Sequence, residues 1–275
     1  MSILISSHLA AFASRWYSAI EKRRSRRQFD IARPVPPDLL IQLNSTCASF
    51  RPFPNARAEL VTESSGRIFK GVVGAFGKVK DAPAFIAFIG NMESPYIQEE
   101  VGYTGEGIIL EATALGLDTC WVAGFFRPDL AAALVGIAGN EKILAVTPVG
   151  YASKSESVEE KMMTGFGRNH RRKPLNSLTS GLRKEQRHGW VKMSLEAARL
   201  APSAVNRQPW GFHVEPDSVT VFVRTTGPEF NVSKRLDCGI AMLHIEVAAM
   251  TCGFHGEWDF LNSPQVARFT VRGNV

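Results

Sequence analysis

The sequence has little of what marks secreted, membrane-spanning or metal-binding proteins. Its four cysteines, Cys47, Cys120, Cys238 and Cys252, show neither a close pair nor a metal-ligand spacing, and the six histidines show no metal spacing either. No run approaches the roughly 18 apolar residues of a membrane span. Polar side chains interrupt residues 1–20, so a signal peptide is not expected. We therefore expect a cytoplasmic protein with reduced cysteines, no bound metal and no membrane attachment.

Apolar and basic side chains, by contrast, are plentiful. Of the 275 residues 45% are apolar, enough to bury a sizeable core. The net charge of +6 favours anionic partners such as phosphates, nucleotides or nucleic acids, but charge alone does not choose among them.

The predicted first helix (residues 12–28) ends in a basic run. From Lys22 to Arg27 five of six positions are cationic, and Ser25 adds a hydroxyl donor. Arginine forks suit phosphate oxygens. Taken alone, the run could equally be a solvated surface or, with the basic stretch Arg168–Lys173, a nonspecific nucleic-acid patch. Lys78 lies in a second segment that could bind phosphate.

The segment Ala201–Trp210 (APSAVNRQPW) is the other notable loop. Two prolines stop the preceding apolar helix, and the side chains between them are mostly small or amide-bearing. Such a loop suits a planar ligand with polar edges. From the residues alone, a helix-ending loop with a buried tryptophan explains it equally well.

The periodicity predicts a mixed α+β protein. Helices are predicted at 97–115, 186–200 and 235–252, and strands at 57–63, 84–90, 143–151, 211–215, 219–224 and 268–272.

The two longest predicted helices form part of an internal repeat. Gly102, Ala112, Gly116 and Trp121 each have a like residue 137 positions later, and Pro52 has one 150 positions later at Pro202. We predict two halves, 16–151 and 183–275, joined by a basic linker at 152–182 and packed about a pseudo-twofold axis. Only the first half has the arginine run, and only the second has the amide-rich loop.

These motifs together resemble the FMN-dependent nitroreductase superfamily, in particular its tandem, single-chain "putative TM nitroreductase" type. The residues that carry the likeness are Arg23–Arg27, Asp81–Pro83, Ala114–Thr119 and Pro202–Trp210. The resemblance implies an α+β, nitroreductase-like fold with two pseudo-twofold-related α/β halves in one chain that mimic the family homodimer. It also implies FMN as the cofactor, bound between the halves.

The resemblance also implies roles for individual residues. Arg23, Arg24, Ser25 and Arg27 would hold the FMN phosphate and ribityl chain, and Arg172, with Lys173 or Arg171 as substitutes, would add a phosphate contact. Lys78 would lie beside the flavin pyrimidine ring. The backbone of Trp121, Val122, Ala123 and Gly124 would reach flavin N5 and O4. The other half would supply Pro202, Ser203, Ala204, Asn206 and Gln208. No protein side chain would be catalytic.

The implied activity is hydride transfer from NAD(P)H through flavin N5 to a nitroaromatic, quinone or similar small acceptor. The alternatives are a flavin protein of another role (storage, degradation or dehalogenation) and a basic nucleic-acid-binding module. We expect no nucleic-acid partner, one FMN per chain, and a monomer or weak homodimer. The family's C-terminal extension, which embraces the partner subunit, has no counterpart after Arg268.

Overall fold

The computed structural model describes residues 2–63, 65–69, 78–153, 171–187, 189–224, 227, 229 and 231–272. Eight α-helices and nine β-strands lie within these ranges. The helices are α1 (Ser2–Lys22), α2 (Pro37–Ser49), α3 (Ser65–Phe69), α4 (Ile97–Ala114), α5 (Pro128–Val135), α6 (Leu175–Leu178), α7 (Gly189–Leu200) and α8 (Lys234–Thr251). The strands are β1 (Ala56–Val61), β2 (Ala84–Asn91), β3 (Asp118–Thr119), β4 (Glu141–Gly150), β5 (Thr179–Gly181), β6 (Trp210–Val214), β7 (Ser218–Val223), β8 (Gly256–Phe260) and β9 (Gln265–Val271). No helix in the described part of the chain is long and apolar enough to cross a membrane.

Two sheets share one strand order. The first runs β1-β2-β4-β3, and within the second β6-β7-β9-β8 repeats that order, with every one of these neighbours antiparallel. All six predicted strands are present, and most of their ends lie within two residues of the predicted positions. The predicted α+β class with two related halves is confirmed.

The second sheet has one additional edge strand. Thr179–Gly181 pairs in parallel with Phe212–Val214, directly after the short helix α6. The prediction that 152–182 is a linker is therefore wrong for its last residues; positions 154–170 lie outside the described residues. A three-residue strand carries too little alternation to be recognised in sequence, and the edge of β6 supplies its hydrogen bonds. The strand Thr179–Gly181, which lies in the segment after the first half, thus belongs to the sheet of the second half.

Helices α4 and α8 form the centre of the molecule, and each buries most of its surface. Their ends are separated by 137 residues at both termini, as the repeat predicts. They cross at two glycines: a Cβ on Gly102 would overlap the carbonyl oxygen of Leu236, and one on Gly239 would overlap that of Glu99. Because 99 and 236 are also 137 apart, the contact is reciprocal, as in a twofold dimer interface.

The first helix ends earlier than predicted. It stops at Lys22, and the basic run continues as extended chain along the first sheet. Arg26 N–H donates to the carbonyl of Thr119 (2.9 Å), and Lys80 N–H donates to that of Arg27 (2.9 Å). These backbone bonds separate arginines that a helix would have stacked on one another.

Candidate flavin site

An arginine cluster lies where the first half meets the second. Arg23 is buried, and its Nη1 donates to the Ser25 hydroxyl (3.3 Å). The Arg24 side chain is held by the neighbouring backbone, since its Nη1 donates to the carbonyls of Glu21 (2.6 Å) and Arg23 (2.8 Å). Burial lowers the pKa of Arg23, and the negative charge of Glu106 partly opposes that effect.

Arg172 joins this cluster from chain that follows the first half. Its Nη1 donates to Oδ1 of Asn206 (2.7 Å), and its Nη2 donates to the carbonyl of Leu200 (3.0 Å). Burial first, and then the charges of Arg23, Arg199 and Arg24, lower the pKa of Arg172 to about 10. Its Nε is buried without a hydrogen-bond partner among the described residues. Cations this close, with a donor left over, fit an anionic ligand such as phosphate.

The amide-rich loop lies directly against this cluster. Nε2 of Gln208 donates to Oδ1 of Asn206 (3.2 Å), and its Oε1 accepts from the backbone N–H of Lys173 (2.8 Å). The hydroxyl of Ser203 accepts from the N–H of Gln208 (2.9 Å). The predicted residues Arg172, Ser203, Asn206 and Gln208 therefore form one continuous polar network.

The backbone of this loop is held in an unusual conformation. Val205, Asn206 and Gln208 have φ of 47°, 53° and 47°, a left-handed region that β-branched valine in particular avoids. Asp237 fixes the loop: its carboxylate accepts from the N–H of Ala204 (3.0 Å) and from Arg207 (2.6 Å). Strain of this kind persists only where the surroundings impose it, and it concentrates at ligand sites.

The segment Trp121–Gly124 lies at the end of α4 and beside the first sheet. Val122 pairs with Val146, and Gly124 has φ of 155°. The Trp121 indole N–H donates to Oε2 of Glu106 (2.7 Å), and its ring packs on Phe88. The backbone of this segment is thus held by its flanking side chains.

Lys78 lies apart from the arginine cluster. Lys78 is exposed and lines a surface cleft of about 460 Å³. The walls of that cleft come from residues 78–83 with Ile31, Gly66 and Phe69, so they include no member of the arginine cluster. The backbone of Arg27 is fixed beside this segment, because its carbonyl accepts from the N–H of Lys80 (2.9 Å). Residues 168–170 of the second basic stretch lie outside the described part of the chain.

Two buried polar residues near the site were not predicted from sequence. Glu106 on α4 and His244 on α8 contact each other at 2.9 Å (Oε1 to Nε2), and neither is exposed. An ionisable side chain in the buried part of a helix is a sign that a partner exists. The partner, however, is 138 residues away, and only the packing of the two central helices identifies it.

The second pseudo-equivalent location is filled by aromatic rings. Phe53 and Phe260 stand 150 and 137 positions from Ser203 and Ala123, respectively, and their ring centroids are 5.6 Å apart. Tyr96 stacks on Phe260 at 4.8 Å, and Phe53 meets Tyr103 edge-on at 5.2 Å. Where the first location has the small side chains of Ser203 and Ala123, the second has a cluster of aromatic rings.

Comparison with known proteins identifies the family. The sequence profile of the family described as "Putative TM nitroreductase" matches residues 15–249. The chain belongs to this family. The predicted family is thereby confirmed, whereas the role of each site residue stays a prediction. No curated protein matches the chain.

A solved structure of a nitroreductase shares the fold, and others have a more limited likeness. A structure from Thermotoga maritima, described as a putative nitroreductase, is 19% identical, with 93% of each chain covered and a TM-score of 0.63. A nitroreductase family protein from Clostridium difficile is 22% identical and covers 60% of this chain and 96% of its own, at a TM-score of 0.44. A nitroreductase from Bacteroides fragilis, solved with bound FMN, is 18% identical. The match covers 52% of this chain and 91% of that one, at a TM-score of 0.41.

Proposed function

We propose that this nitroreductase-family chain binds FMN between its two halves and acts as an oxidoreductase. The observation that carries the proposal is that the charges of Arg23 and Arg24 act on Arg172, which is itself hydrogen-bonded to Asn206 of the second half. The two arginines of the first half and the amide of the second are brought together only by the fold. Bound FMN would supply hydride transfer between NAD(P)H and a small acceptor such as a nitroaromatic or quinone.

The donor set suits both ends of that cofactor. The arginine cluster and Ser25 offer charged and hydroxyl donors to a phosphate and a ribityl chain. Ser203, Asn206 and Gln208 offer hydroxyl and amide groups to the polar edges of a planar ring. Backbone N–H groups of residues 121–124 would orient the ring and, with Lys78, stabilise negative charge on it.

We further propose that the chain arose as a tandem repeat in which one of two equivalent sites was kept. The reciprocal contacts of Gly102 and Gly239 support the repeat, and the Phe53–Phe260 cluster supports the loss of the second site. One FMN per chain follows, and the protein can then work as a monomer or a weak homodimer, because one chain provides both halves.

The basic residues fit a cofactor better than a nucleic acid. Arg23 is buried, and Arg172 is hydrogen-bonded to the second half, so neither presents its charge as an exposed stripe. A nucleic-acid surface would need these guanidinium groups to be accessible along a groove.

Anaerobic reduction tests the proposed activity. The purified protein, reconstituted with FMN, is titrated with NADH and separately with NADPH while flavin absorbance is followed, and a nitroaromatic or quinone is then added. Bleaching by a nicotinamide and reoxidation by the acceptor are expected. A protein that holds FMN but is reduced by neither nicotinamide would overturn the oxidoreductase assignment and favour storage, degradation or another flavin role.

A further inference from the structure

A buried hydrogen-bonded pair, Glu106 and His244, connects segments of the proposed site. Oε2 of Glu106 accepts from the indole N–H of Trp121 (2.7 Å), and its Oε1 contacts Nε2 of His244 (2.9 Å). On the other side of the imidazole, Nδ1 lies 2.8 Å from the carbonyl oxygen of Ala197. Because a carbonyl can only accept, Nδ1 is the protonated donor there.

Each end of this chain of contacts reaches a different part of the site. Trp121 begins the segment 121–124, and Ala197 lies on α7, whose last residue precedes the Ala201–Trp210 loop. Glu106 is also the acidic group whose charge acts on Arg23. No other carboxylate among the described residues links both halves of the site in this way.

The hydrogen bonds fix how many protons the two side chains hold together. With Nδ1–H committed to Ala197, one further proton lies between Nε2 of His244 and Oε1 of Glu106, so the pair carries no net charge. Both partners are fully buried, and each polar atom of the two side chains has a partner. Removing one partner would leave an ionisable group buried and unpaired. Removing both leaves no such group, although the Trp121 indole N–H and the Ala197 carbonyl then lose their partners.

We propose that Glu106 and His244 are positioning residues of the flavin site: their buried pair holds the Trp121 segment and helix α7 in register. This inference rests on the proposed FMN site and adds residues that do not touch the cofactor. A merely structural pair would change the stability of the protein without a separate effect on cofactor affinity.

The test is the double variant Glu106→Leu/His244→Leu, which removes both ionisable groups without leaving a buried charge. Its unfolding midpoint in urea should fall moderately, because the Trp121 indole N–H and the Ala197 carbonyl lose their partners while no charge is left buried. Its dissociation constant for FMN, measured by quenching of flavin fluorescence, should rise by about tenfold or more, because Trp121 and α7 lose their link.

Two controls separate positioning from packing. Glu106→Gln should retain FMN affinity within about threefold, since its amide oxygen accepts from Trp121 and its NH₂ donates to neutral His244. Glu246→Leu breaks the corresponding bond in the second half, where Trp258 donates to Glu246 (2.7 Å). It should lower stability and leave FMN affinity unchanged.

The outcomes are distinguishable. FMN binding by the double variant that equals the wild type would overturn the positioning role, and so would an equal loss in Glu246→Leu. A wild-type chain that binds no FMN would instead overturn the proposed function itself.

Discussion

Arg172→Ala is the substitution that examines the arginine cluster most specifically. Arg172 is one of three guanidinium groups that the fold brings together, and its buried Nε has no partner within the described residues. Its pKa of about 10 reflects burial and the charges of Arg23, Arg199 and Arg24, none of which compensates its own positive charge. A phosphate would provide that compensation.

The expected loss follows from the kind of bond that is removed. Hydrogen bonds to charged groups contribute about 1.5–3 kcal/mol each, which corresponds to roughly a 10- to 100-fold change in a dissociation constant. The assay compares FMN with riboflavin, which has the same ring and ribityl chain without the phosphate. Arg172→Ala should raise the dissociation constant for FMN by that factor. It should raise the dissociation constant for riboflavin by about threefold or less.

Arg199→Ala is the matched control. It removes a charge that also acts on Arg172, but the Arg199 guanidinium already pairs with Glu196 (2.8 Å). We expect FMN affinity to change by less than about threefold. Equal losses of FMN and riboflavin in Arg172→Ala would refute the phosphate role and show that Arg172 only supports Asn206.

Two further predictions concern the core. Gly102→Ala places a Cβ against the Leu236 carbonyl and should lower the free energy of unfolding by about 1–3 kcal/mol, whereas Gly139→Ala, where a Cβ meets nothing within 4 Å, should not lower it. An equal loss in both urea titrations would contradict the close helix crossing. Burial raises the pKa of Glu246 from 4.5 to about 7, so its stabilising contribution is complete below pH 4.5 and is lost as the pH rises through 7. Glu246→Gln should remove roughly 3 kcal/mol of the decrease in unfolding free energy between pH 4.5 and pH 7. An unchanged pH dependence in thermal unfolding would contradict the shift.

The helices and the repeat were predictable because their cause is local. In 97–114 and 234–251, apolar residues surround spaced small ones, and a left-handed glycine follows each helix, with φ of 78° at Gly116 and 80° at Gly253. Those features depend on each segment's own residues.

The features that were missed depend on distant partners. Strand β8 (Gly256–Phe260) contains Glu257 and Asp259, and only its pairing with β9 makes it a strand. The edge strand β5 likewise needs β6. The contact of Glu106 with His244 requires that two helices cross first, and no local pattern reports that. For the site, the sequence predicted the arginines and the amide-rich loop but not the buried Glu106–His244 contact between the two central helices.

The stoichiometry of FMN tests the split site most directly. The protein is reconstituted with excess FMN and freed of unbound cofactor, and flavin absorbance is then divided by chain concentration. The account predicts one FMN per chain, since Arg23, Arg24 and Arg172 meet the amide loop once, and Phe53 and Phe260 fill the equivalent location. Two per chain, or none, would contradict it.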